Sequence, residues 1–115
     1  MASSIMKCNR KAVTNFSPSN LTFGTGNCYY AIEGNFMLIS VIGATANTAS
    51  QTVIILVSDF ASTFGKSIAR RAHTSVWGSQ SGIRLNAHDN ALTLTSDSGI
   101  SPSIGIYGQI IVPIT

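Results

Sequence analysis

The side chains of this 115-residue chain that could do chemistry gather between positions 70 and 89. Trp77 has His73, Arg70 and Arg71 just before it and Gln80 and Arg84 just after. His88 and Asp89 follow on what reads as the next turn. Sugars are held by an aromatic face stacked on the apolar side of the ring and by planar polar groups on the hydroxyls. An aromatic and several polar groups on one short strand-turn-strand unit, with Trp77, His73, Arg84, Arg70, His88 and Asp89 as the candidates, would supply that chemistry. The same residues admit a plainer reading, in which Trp77 fills the core and the arginines solvate a sheet edge. The sequence leaves both open.

Other chemistries find less support. Gly78-Ser79-Gln80-Ser81-Gly82 has the outline of a nucleophile elbow but carries Gln80 where serine must stand. Gly24-Thr25-Gly26 is followed neither by a third glycine nor by a helical pattern, which argues against a dinucleotide loop. His73, His88, Cys8, Cys28, Asp89 and Asp97 lack the spacings of metal sites, so no metal or cofactor is expected. Of the four carboxylates, Glu33, Asp59, Asp89 and Asp97, at least two fall where turns want them, which disfavours a paired-carboxylate hydrolase. The expectation is a protein that is not an enzyme.

Only 10% of the residues are charged, against a usual share near 25%. Serine, threonine and small apolar residues stand where lysines and acids would normally solvate a surface. Such a chain gains by hiding surface in an assembly, because burying apolar area is favourable by roughly 25 cal/mol per Å². The length suits one domain, and 44% hydrophobic content excludes a disordered chain. The net charge of +3 is scattered over Lys7, Arg10 and Lys11, then Lys66, Arg70 and Arg71, then Arg84, so no nucleic-acid partner is expected. The apolar stretches Phe36 to Ala46 and Val53 to Val57 are too short or too interrupted to cross a bilayer, and no signal peptide is visible at the start. Cys8 and Cys28 are expected to be reduced.

Helical periodicity is nearly absent, and short runs of β-branched and aromatic residues alternate with turn residues. The reading is all-β: an antiparallel sandwich, jelly-roll-like, or a small barrel of seven or eight strands. Cys28 to Ile32 and Phe36 to Thr45 form a hairpin around Gly34, which supplies a positive φ. Gln51 to Ser58 reads as a strand buried on both faces, and Asp59 to Gly65 as a loop. A long excursion from Lys66 ends in a strand near Trp77. Ile83 to Ala87 and Ala91 to Thr95 form a second hairpin around His88-Asp89-Asn90. Asp97 to Ser103 is a loop, and Ile104 to Val112 closes the domain with Ile104, Ile106, Gly108 and Ile110 on one face. Residues 1–20 read as an arm or neck remnant, and 21–115 as the domain.

The hairpin from Cys28 to Ser40, the run Thr52 to Val57, the pair Ile83 to Ala87 with Leu92 to Thr95, and the closing strand Ile106 to Ile114 together resemble the C-terminal head domain of phage tail-fibre and baseplate receptor-binding proteins. The chain departs from that pattern in carrying Asp59-Phe60-Ala61-Ser62-Thr63-Phe64-Gly65-Lys66 where those heads have a leucine-proline and a tyrosine-arginine-proline element. The resemblance implies a homotrimer of small β-domains. It implies attachment to a host cell-surface saccharide, contact with other tail or baseplate proteins, and a place in the virion tail after synthesis in the host cytoplasm. Alternatives are a structural virion subunit without ligand and a secreted lectin-like module.

Overall fold

Alternation at period two, with β-branched residues on the inward positions, makes strands of most of this chain. The computed structural model describes residues 14–18, 20–47, 51–78 and 80–115. The strands are β1 (Thr14–Phe16), β2 (Leu21–Glu33), β3 (Phe36–Ala46), β4 (Gln51–Val57), β5 (Ala72–Ser75), β6 (Ile83–His88), β7 (Ala91–Ile100) and β8 (Ile106–Pro113), with one short helix, α1 (Phe60–Phe64). The architecture is all-β and antiparallel. One sheet runs β1-β2-β3-β8 and the other β4-β7-β6-β5. Beyond the end of β5, Trp77 and Tyr107 exchange backbone hydrogen bonds of 2.6 and 2.9 Å, and Ile68 bridges Ile114. These bridges tie the second sheet to β8 and curl the structure into a half-barrel.

The close approach at that seam depends on glycine. A Cβ on Gly78 would lie 2.0 Å from the Gly105 carbonyl oxygen, and one on Gly108 would lie 2.6 Å from Cγ1 of Val76. The concave side holds the core. Met37, Ile39 and Val41 of β3 stand beside Ile106, Ile110 and Val112 of β8 and pack in one core with Ile83, Leu85 and Ala87 of β6 and Leu92 and Leu94 of β7, all buried. Each large aliphatic side chain removed from water contributes about 1.5–3 kcal/mol. Cys28 is buried among them as a free thiol, and burial pushes its pKa up to about 12.

Helix α1 forms because both ends are capped. The Asp59 carboxylate accepts from Ser62 N–H at 3.0 Å, and Gly65, at φ 72°, donates its N–H to the Ala61 carbonyl at 2.9 Å. Phe60 and Phe64 are buried, and Phe64 packs edge-on against Phe16 and Tyr30 at 5.1 and 4.8 Å. The helix thereby holds β1 and β2 against the open side of the half-barrel.

Several expectations are corrected. β4 is an edge strand rather than a strand buried on both faces: Val53 and Ile55 are 50% and 48% exposed, because no layer among the described residues covers their outward sides. The expected loop from Asp59 holds α1. The expected loop from Asp97 is in strand as far as Ile100, because β7 continues to pair with Gln51 there. Part of the expected arm, Thr14–Phe16, is β1 and pairs with β2, while Pro18 is buried. The remaining arm residues 1–13 and 19, with Cys8, Lys7, Arg10 and Lys11, lie outside the described residues, as do 48–50 and Ser79.

Candidate functional site

Trp77 is not a core residue. Its backbone is held by the pair of hydrogen bonds to Tyr107, yet its side chain is 72% exposed. Val76 before it is buried, so alternation turns the indole outward. Around it lies a shallow groove of about 300 Å³ formed with Val41, Ile42, Tyr107, Gly108 and Gln109. Tyr107 and Gln109 add a phenol and a planar amide beside the indole. Sequence reasoning missed both, although the inward set Ile106, Gly108 and Ile110 already implied that 107 and 109 point out.

The other predicted residues do not line this groove. His73 and Arg84 stand exposed on the outward face of the second sheet, paired in register with Asn86 and Ser75. His73 and Ser75 share the outward side of their strand with Trp77 further along. Arg84 also borders a small depression of about 210 Å³ with Gly82, Thr95, Ser96 and Asp97. Gln80, placed near Trp77 by sequence, instead clamps the neighbouring loop: its amide donates to the Gly99 carbonyl and accepts from Ser101 N–H at 3.1 Å.

Arg70, His88 and Asp89 come together elsewhere. With Arg71, Asn90 and residues 67–69 they line an open cleft of about 510 Å³. Asp89 and Asn90 take φ of 51° and 60°, which gives the two-residue hairpin between β6 and β7 the double left-handed geometry that suits strand twist. His88 Nδ1 donates to Asp89 Oδ2 at 2.9 Å. That hydrogen bond first, then the attraction of the His88 ring and of Arg71, holds the Asp89 carboxyl below its ordinary pKa. Asn90 is structural: its amide donates to Asp59 at 3.0 Å and its carbonyl accepts from Ala61 N–H at 2.8 Å. The Asn90 bond, then Ser62 N–H, likewise lowers the Asp59 pKa.

A third outward feature is apolar. Phe36, Leu38 and Ile111 form, with Glu33 at the rim, a groove of about 420 Å³. Register places Leu38 beside Ile111, and Phe36 beside Pro113. Ile42 and Tyr107 continue the same outward side of β3 and β8 to Trp77. Among the described residues no three His, Cys, Asp or Glu side chains gather as a metal site would require. No helix among them is long and apolar enough to cross a membrane. Comparison with protein-family models, curated proteins and solved structures finds no match.

Proposed function

We propose that this domain is a non-enzymatic glycan-binding head of a viral tail appendage, working as a homotrimer that attaches to a host cell-surface saccharide. The observation that carries the reading is Trp77: a large aromatic face left in water, on a backbone fixed from both sides, beside a phenol and a planar amide. An exposed indole of this kind offers a sugar ring a stacking surface at little conformational cost. Tyr107 and Gln109 join it as the binding residues, with His73 and Arg84 on the adjoining face. Single-site affinity for such a shallow groove is weak, and several copies multiply it.

The trimer is supported by the apolar stripe. Phe36, Leu38, Ile42, Ile111, Tyr107 and Trp77 are all exposed. Taking about 200 Å² for a large side chain, they leave on the order of 600 Å² of apolar surface, near the ~800 Å² each partner gives a stable interface. The stripe carries no cation and only Glu33 at its rim, so like copies do not repel across it. Its occupant in this reading is a second copy of the chain, with Trp77 at the mouth of the groove between copies. The likeness to phage receptor-binding heads supplies the viral setting and the other tail or baseplate proteins as neighbours.

A glycan array with the wild-type chain and Trp77→Ala tests the reading. Because the indole is exposed in the single chain, the variant keeps its fold, and the expected result is loss of the array signal. Undiminished binding would overturn the assignment of the Trp77 groove. The stripe also favours a second reading, a structural virion subunit without ligand, which predicts a silent array with both proteins.

A further inference from the structure

The cleft between residues 66–71 and the Asp89–Asn90 turn is separate from the Trp77 groove, and its walls are fixed. Ala69 N–H donates to the Pro113 carbonyl at 2.8 Å and Thr115 N–H to the Ser67 carbonyl at 3.0 Å, pinning one wall to the end of β8. Phe60 N–H donates to the Asn90 carbonyl at 2.8 Å, and the Asn90 side chain holds the start of α1, pinning the other. Arg70 and Arg71, both exposed, make no hydrogen bond among the described residues, which leaves their guanidinium donors turned to solvent for a ligand. Asp89, bound on one oxygen by His88, presents an acceptor beside them.

We propose that this cleft binds an acidic sugar residue, taking its carboxylate or phosphate on Arg70 and Arg71 and its hydroxyls on Asp89. Guanidinium groups match planar or tetrahedral oxyanions with paired donors. A bare anion or a nucleic-acid backbone would gain from the arginines and be repelled by Asp89. A sugar that carries both an anionic group and neighbouring hydroxyls uses all three. The inference rests on the glycan-binding reading for its ligand class, but its site, and therefore its failure, is independent of Trp77.

The test is titration of the full chain with three probes: galacturonic acid oligomers, glycerol-phosphate oligomers bearing sugar, and neutral galactose oligomers. The expected result is binding of at least one acidic probe, weakened about tenfold or more by the double substitution Arg70→Gln and Arg71→Gln, with the neutral probe unaffected by it. The two acidic probes separate a carboxylate ligand from a phosphate one. Asp89→Asn is expected to weaken the acidic oligosaccharide while strengthening inorganic phosphate and single-stranded DNA. Three results would overturn the inference: no acidic probe binds, the double variant binds as the wild type does, or Asp89→Asn tightens every anion alike. Trp77→Ala in the same titration reports on the Trp77 groove alone.

Discussion

The outward faces of the two sheets could hardly differ more, although their inward faces are alike. On β3 and β8 the outward positions hold Phe36, Leu38, Ile42, Tyr107 and Ile111. On β5, β6 and β7 they hold His73, Ser75, Arg84, Asn86 and Thr95. Both sets have the same backbone, twist and alternation, so the difference is not required for folding. It leaves the outward side of β3 and β8 mostly apolar and that of β5, β6 and β7 polar, with Val53 and Ile55 exposed only at the β4 edge.

Substitutions that cross this division should have unequal effects. The largest falls inward: Leu85, at 0% exposure, lies in the core, and Leu85→Ala is expected to cost about 2–5 kcal/mol in denaturant unfolding. At the seam, Gly78→Ala drives a methyl into the Gly105 carbonyl, and a loss of about 1–3 kcal/mol is expected together with weaker glycan binding, because the bridge that fixes Trp77 is disturbed.

Cys28 supplies a pH test of inward burial. Its folded pKa is raised from 9.0 to about 12, so the stability it contributes is complete below pH 9 and is lost as pH rises toward 12. Melting curves across that window should fall more steeply for the wild type than for Cys28→Ala. The smallest expected effect is a gain. Thr93, on the outward side, has a buried hydroxyl oxygen without a hydrogen-bond partner among the described residues. Thr93→Val replaces it with a methyl group, and about 1 kcal/mol of added stability is expected in the same unfolding measurement.

How far the sequence disclosed this arrangement depends on the element. The inward set Ile106, Gly108 and Ile110 of β8 was legible because alternation is a local property of the chain. The Gly34 turn was legible too, since φ of 58° requires a residue like glycine there. The run Val53 to Val57 misled because its outward Val53 and Ile55 look like core, and only the sheet order shows that nothing among the described residues covers them. Helix α1 was hidden because five residues are too few to show a helical period, although Asp59 and Gly65 were its caps. The candidate site separated for a related reason. Trp77 and His88 lie near in sequence, but the chain crosses to β8 at Trp77 and turns toward α1 at Asn90. Tyr107 and Gln109 reach the indole from 30 or more positions away, a proximity that only the fold creates.

In the proposed assembly the apolar outward face is covered by copies of the same chain. Ile111, 62% exposed on that face, allows the most direct test. Native mass measurement at micromolar concentration should give three chains for the wild type and one for Ile111→Lys, with the circular dichroism of the strands unchanged, since an exposed substitution alters monomer stability by no more than about 0.5 kcal/mol. A single-chain mass for the wild type, or three chains retained by Ile111→Lys, would contradict it.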